Sequence, residues 1–145
     1  MKNLTKRKYS GIRQKHVNEI VWNLYGYKFF KNENCMATLE NFMSDDLSIY
    51  SDTFDYIIPI KPRNSGSNIV GRMAEYISNI LNCNVLDILH PGNASATKRD
   101  LRGLKILLVD DVITTGRTAA KAAKALEKLG ARNIQFYALA KATEK

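Results

Sequence analysis

The sequence predicts an α/β fold: an open twisted, mainly parallel sheet with flanking helices, and a small N-terminal helical cap. Three observations carry that expectation. Four short runs rich in branched apolar residues, at 54–60, 85–89, 105–109 and 133–140, read as buried strands. Segments 69–81 and 119–129 place apolar residues at helical spacing. Their order is strand, helix, strand, loop, strand, helix, strand, which implies a parallel sheet with right-handed crossovers.

In chain order, residues 1–12 are polar and basic and predict a loop or a loosely held arm. Val17, Ile20, Val21 and Leu24 recur at helical spacing over 13–25, and Gly26 can end that helix. Met36, Leu39 and Met43 mark a second short helix over about 36–42, followed by the turn-like Ser44-Asp45-Asp46 and Ser51-Asp52. Pro59 announces the end of the first core strand. Ser67 or Asn68 can cap the helix that buries Ile69, Met73, Ile77, Ile80 and Leu81. Residues 90–102 are a polar loop. The helix 119–129, built of Ala, Lys and Leu, is stopped by Gly130. With 145 residues, the chain has room for one compact domain and not two. The expected organisation is a single domain, with 1–50 as a cap or hood and 51–145 as the α/β core.

The chemistry concentrates in Lys105-Ile106-Leu107-Leu108-Val109-Asp110-Asp111-Val112-Ile113-Thr114-Thr115-Gly116-Arg117-Thr118. A buried strand turns here into a helix, and open α/β sheets bind ligands at such strand ends. Thr114, Thr115, Gly116, Arg117 and Thr118 offer backbone N–H groups and hydroxyls at a helix start, an arrangement that favours a phosphate. Asp110 and Asp111 would repel a phosphate. Two adjacent acceptors suit the vicinal hydroxyls of a sugar whose phosphate lies further along the loop. Helix capping or cation binding is the other reading of the two aspartates.

Four apolar residues, Asp-Asp, two apolar residues and Thr-Thr-Gly-x-Thr resemble, position by position, the ribose-phosphate signature of type I phosphoribosyltransferases. That family binds 5-phosphoribosyl 1-pyrophosphate with magnesium and joins ribose 5-phosphate to a nitrogen base or ammonia. The resemblance implies that Asp110 and Asp111 hold the ribose hydroxyls and that Thr114–Thr118 hold the 5-phosphate. The pyrophosphate then needs cations, for which Lys61 and Arg63 after the first strand and Lys98 or Arg99 in the 90–102 loop are the candidates. Asp110, Asp111, Arg63, Lys98 and Arg99 are the residues expected to carry the reaction. Magnesium is expected to be held mainly by the substrate, and no protein residue is assigned to it as a direct ligand.

A narrower resemblance is to the ComF-like, amidophosphoribosyltransferase-like branch. It rests on Pro59-Ile60-Lys61-Pro62-Arg63, on Gly66, Asn68 and Ala74, and on Tyr9-Ser10-Gly11 and Tyr27-Lys28-Phe29. Ser65, Ser67 and Ile69 depart from its pattern. The four-cysteine zinc module of many such proteins has no counterpart, and the 90–102 loop is shorter than theirs.

Composition admits rival readings. The net charge of +8 suits an anionic small molecule or nucleic acid, with Lys6-Arg7-Lys8 the one tight basic run. A pocket that binds phosphoribosyl pyrophosphate or a nucleotide without turnover, in a regulator or a DNA-uptake accessory protein, would keep the same signature. No apolar run reaches the roughly 18 residues of a membrane span, and the basic N-terminus lacks a signal-peptide core. A cytoplasmic protein without membrane partners is expected, with homo-oligomers left open. Cys35 and Cys83 read as free buried thiols. His16 and His90 read as histidines without a role, and Trp22 as a packing residue. Tyr25, Tyr27, Phe29 and Phe30 read as packing for the cap, with base stacking the lesser alternative.

Overall fold

A computed structural model describes residues 1–9, 15–61, 68–89 and 99–142, with backbone alone at 8–9 and 15–18. Strands β1 (Lys2–Asn3) and β2 (Lys8–Tyr9) come first, then helices α1 (Lys15–Phe30) and α2 (Glu33–Leu47). They are followed by β3 (Tyr56–Pro59), α3 (Ile69–Leu81), β4 (Asn84–Val85), β5 (Lys105–Ile113), α4 (Arg117–Glu127) and β6 (Asn133–Ala142). The sheet runs β1-β6-β5-β3-β4, with β2 also on β6, and every pairing is parallel. The expected parallel α/β architecture is therefore present.

Strand alternation divides the core in two. Ile57, Leu107, Val109, Tyr137 and Leu139 point to the face covered by α1, α2 and α3. Ile58, Ile106, Leu108, Ile134, Phe136 and Ala138 point to the face covered by α4. The chain steps outward from β3 through α3 to β4, returns, and steps the other way from β5 through α4 to β6. Its direction reverses between β3 and β5, and the carboxyl ends of those strands flank the crevice where such sheets take ligands.

Several local expectations are corrected. Within the expected 1–12 arm, residues 1–9 are not loose: Leu4 N–H donates to the Phe136 carbonyl (2.7 Å), Lys141 N–H donates to the Arg7 carbonyl (2.7 Å), and Ala138 N–H donates to Thr5 Oγ1 (3.0 Å); 10–12 lie outside the described residues. This edge pairing carries β6 on to Ala142. Helix α1 does not stop at Gly26. Its buried row Ile20, Leu24, Tyr27 continues past it, and a Cβ at Gly26 would stand 2.3 Å from Cys35 Sγ. Gly26 lets α1 and α2 approach; it is not a helix stop.

Helix α2 likewise runs through Ser44-Asp45-Asp46, because Met36, Leu39, Met43 and Leu47 continue one buried stripe. Conversely, of the expected 85–89 strand only Val85 is in one, β4 being Asn84–Val85. Leu86 N–H still donates to the Ile57 carbonyl (2.8 Å), but Ile88 N–H turns back to the Leu86 carbonyl (3.2 Å). Asn68 is the N-cap residue of α3, with no side-chain cap bond. The two cysteines are free and half-buried. Trp22 does not pack at all, being 76% exposed; of the four aromatics expected to pack the cap, Tyr27 alone is buried.

Asp46 is 5% exposed and is held by two partners from distant parts of the chain. Tyr137 Oη of β6 donates to Asp46 Oδ2 at 2.6 Å, and Arg7, beyond β1, pairs with the same oxygen. The Arg7 guanidinium also lies over the Phe42 ring, 4.6 Å from its centroid. The edge segment, α2 and β6 are thus tied at one buried charge, whose loss would strand a buried tyrosine hydroxyl. Asp46→Ala is expected to cost about 3–5 kcal/mol in equilibrium denaturation; a loss below about 0.5 kcal/mol, the scatter of ordinary surface changes, would show that the network contributes nothing.

Candidate functional site

Strand β5 leaves the core with Asp110 on the α4 side and Asp111 on the α1–α3 side, as alternation after Leu108 and Val109 requires. Asp110 pairs in register with Ala138 of β6. Each carboxylate accepts the next backbone N–H: Asp111 N–H donates to Asp110 Oδ1 (2.8 Å), and Val112 N–H donates to Asp111 Oδ1 (2.7 Å). Lys28 of α1 forms an ion pair with Asp111 Oδ2.

The two acids separate electrostatically. Burial, then the hydrogen bond and charge of Asp111, push Asp110 up from 3.8 to about 8. Burial works against ionisation of Asp111 too, but the Lys28 hydrogen bond and charge and the bond from Val112 N–H outweigh it and hold its carboxyl below the ordinary value. At neutral pH the floor of the crevice therefore carries one carboxylate and one protonated acid, which can donate as well as accept.

Beyond β5 the chain turns at Thr114-Thr115-Gly116 into α4. Gly116 is the N-cap residue with φ +84°, in the left-handed region that glycine alone enters without strain. A Cβ there would meet only Ile113 Cδ1, at 3.9 Å. The constraint is thus conformational, and open space lies where a ligand would approach. Arg117 N–H donates to Thr115 Oγ1 (3.3 Å), and the Gly116 carbonyl accepts Ala120 N–H (2.9 Å) to begin the helix. Thr114, Thr115, Arg117 and Thr118 are exposed around this helix start, whose first amides carry partial positive charge.

The expected cations fare differently. Lys61 follows β3 on the same edge, and its Nζ lies 2.6 Å from Asp87 Oδ2 in the segment after β4. Arg63 and Lys98, with Gly66 and His90, lie outside the described residues. Arg99 is exposed and precedes Asp100, in a stretch packed at the far end of α4: Leu101 N–H donates to the Leu129 carbonyl (2.9 Å). An eleven-residue helix separates that end from Gly116 by about 16 Å, so the structure does not bring Arg99 to the Asp110–Gly116 end.

Lys28 was missed by sequence reasoning. The signals were present: a helix-spaced row Ile20, Leu24, Lys28, and a resemblance that includes Tyr27-Lys28-Phe29. Ending the helix at Gly26 hid the row. Among the described residues, no three His, Cys, Asp or Glu side chains cluster as a metal site, and no helix is long and apolar enough to cross a membrane.

The acids give the site a pH signature. Because the folded pKa of Asp110 is raised, from 3.8 to about 8, its contribution to stability is complete below about pH 4 and is lost as pH rises through 8. Asp111, held low, contributes above its ordinary pKa and loses that contribution in acid. Asp110→Asn should therefore flatten the pH dependence between about 4 and 8, gaining up to about 5 kcal/mol on wild type across that window. Denaturation series at several pH values read this directly, and parallel curves for the two proteins would contradict it. Gly116→Ala should cost about 1–2 kcal/mol through backbone strain in the same assay; no loss would mean that the turn relaxes.

Comparison with known proteins supplies the family. The profile of the phosphoribosyl transferase domain matches residues 50–145. The putative ribose-phosphate pyrophosphokinase 2 of Streptococcus pneumoniae serotype 4 is 31% identical over 83 residues, covering 54% of this chain and 25% of that protein. Its counterpart in Streptococcus pyogenes serotype M3 is 32% identical over 87 residues, covering 58% and 26%. The chain thus spans about a quarter of the length of these curated relatives. Among solved structures, adenine phosphoribosyltransferase from Saccharomyces cerevisiae aligns with a TM-score of 0.54 at 19% identity, over 77% of this chain and 71% of that one. Purine phosphoribosyltransferase from Pyrococcus horikoshii Ot3 aligns with a TM-score of 0.50 at 23% identity, over 72% and 71%. These two likenesses bear on the fold; the family match, which takes in β3 to β6 and the whole Asp110–Thr118 turn, shows that the chain belongs to the phosphoribosyl transferase domain family.

Proposed function

We propose that this protein binds 5-phosphoribosyl 1-pyrophosphate with magnesium and transfers ribose 5-phosphate to a nitrogen base or ammonia, releasing pyrophosphate. One observation carries the reading: the acid pair at the end of β5 is followed within one turn by the Gly116 helix start, at the reversal between β3 and β5. A ligand that satisfies both must present hydroxyls to the acids and a phosphate to the amides. A phosphorylated ribose does so.

In this reading Asp110 and Asp111 orient the ribose, and Thr114–Thr118 anchor the 5-phosphate. Lys61 and Arg63, which follow β3 in the chain, are assigned to the pyrophosphate, with Lys98 of the 90–102 segment. Lys61 must exchange Asp87 for the ligand, since the two are paired as they stand. Two carboxylates are too few to cage an octahedral cation, so magnesium fits here only with most of its oxygens from the sugar pyrophosphate and water. When bound, it would offset charge developing on the leaving group. The chain's own part is to hold the anomeric carbon in line and to neutralise the leaving group, which suits a reaction governed by positioning and electrostatics.

The names of the curated relatives, ribose-phosphate pyrophosphokinases, point to the same sugar phosphate with a different reaction. The Lys61–Asp87 pair favours a second reading: a protein that holds phosphoribosyl pyrophosphate or a nucleotide without turnover, as a regulator or as the ComF-like accessory that the narrower resemblance suggests.

Calorimetric titration with phosphoribosyl pyrophosphate and magnesium, followed by a pyrophosphate-release screen over nucleobases and ammonia, decides between them. Binding with release supports the transferase; binding without release from any acceptor leaves the regulator; no binding sinks both. Replacing Asp110 and Asp111 together by Asn should weaken phosphoribosyl pyrophosphate about a hundredfold or more while leaving inorganic phosphate nearly unchanged. Equal losses for both ligands would refute the ribose assignment.

A further inference from the structure

We propose that Lys28 of α1 is a positioning residue of this site, acting through Asp111: its ammonium fixes the Asp111 carboxylate so that the acid pair meets the ribose as an ordered acceptor. The inference deepens the sugar-phosphate reading and rests on it.

The geometry begins with α1. Ile20 and Leu24 are buried on the face that packs on the sheet, and Lys28 stands at the next position of that i, i+4 row. The row places its stem against the core and its ammonium at the sheet's carboxyl edge. The end of α1 is anchored beside it. Tyr27 is 5% exposed, its hydroxyl accepts from Arg72 of α3 (3.2 Å), and Arg72 also pairs with Glu33 at the start of α2 (2.9 Å). Three helices thus hold the residue next to Lys28, so the lysine need not be ordered by the ligand.

Asp111 needs such a partner. Its side chain is 16% exposed and lies beside a second half-buried carboxyl. The charged groups that act on it are Asp110 on β5 and Lys28 on α1. Without a cation, the single negative charge of this half-buried pair can settle on either carboxyl, and an Asp111 that takes the proton accepts fewer hydroxyls. Lys28 removes that difficulty for Asp111 alone. The Lys28 side chain remains 36% exposed, so the pair sits at the mouth of the crevice and not beneath it.

The test uses the full chain with ribose 5-phosphate and inorganic phosphate as probes. Lys28→Met should weaken ribose 5-phosphate about ten- to a hundredfold near neutral pH and leave inorganic phosphate unchanged. The sign of the pH effect follows from losing the cation. Asp111 becomes harder to ionise, so the deficit should be largest at about pH 6 and shrink towards about pH 8.5. Lys28→Arg should restore most of the affinity.

Lys28→Met leaves two acids without a cation and can impair folding. The Lys28→Met, Asp111→Asn double variant removes both charges and should bind ribose 5-phosphate no worse than Asp111→Asn alone. A further loss in that background means that Lys28 touches the ligand itself, which overturns the positioning role. So does an unchanged affinity in Lys28→Met, or equal losses for both probes at every pH. Carboxyl NMR of the ligand-free protein separates this inference from the reading beneath it. If Lys28→Met leaves the Asp111 titration in place, the inference fails even where ribose 5-phosphate binds. If wild type does not bind ribose 5-phosphate, the sugar-phosphate reading fails and takes the inference with it.

Discussion

Consecutive residues of a strand point to opposite faces of its sheet, and the site depends on that constraint. Asp110 and Asp111 follow the fully buried residues 106–109 of β5, so each enters a different environment. One meets the α4 face and Asp111's charge; the other meets α1 and Lys28. Two chemically identical side chains thereby acquire different protonation at neutral pH. The asymmetry comes from pleating and from the parallel sheet that buries β5 between β3 and β6, and not from any difference in residue type.

The same sheet divides the crevice into an acidic floor and an amide-lined turn. The short span from Asp111 to Gly116 keeps them within one ligand's reach, and the left-handed Gly116 lets the chain reverse from strand to helix in that span. Repulsion between the carboxylates and a phosphate is avoided because the helix start offers the phosphate its own donors. A ligand with a neutral, hydroxyl-bearing centre and an anionic end fits that polarity; a plain anion fits half of it.

The N-terminal segment matters to this arrangement more than a cap would. Residues 2–9 extend the sheet beyond β6, α1 and α2 cover the face that α3 also covers, and the Arg7–Asp46–Tyr137 network fastens the three pieces. Lys28 reaches Asp111 because α1 is held in the core. A loosely attached hood would not keep an ammonium against a half-buried carboxylate.

By itself the sequence determined the parallel α/β class, the core strands and helices after residue 50, and the Asp110–Thr118 turn. Each is a local pattern: branched apolar runs, helical spacing, and a polar string whose order mirrors its geometry. Tertiary structure decided what depends on distant partners. The polar N-terminal segment forms strands at 2–3 and 8–9 because β6 offers it a ladder. Ser44-Asp45-Asp46 stays helical because the buried stripe of α2 runs on to Leu47 and Asp46 finds Arg7 and Tyr137, and Gly26 stays within α1 because the row buried on the sheet continues to Tyr27, while Cys35 occupies the space a side chain at 26 would need. Lys28 belongs to the site because a helix more than eighty residues earlier packs where Asp111 points, whereas Arg99, nearer in sequence, is carried to the opposite end of α4. Periodicity records which face a residue takes; which other element lies across that face is set only when the helices pack on the sheet.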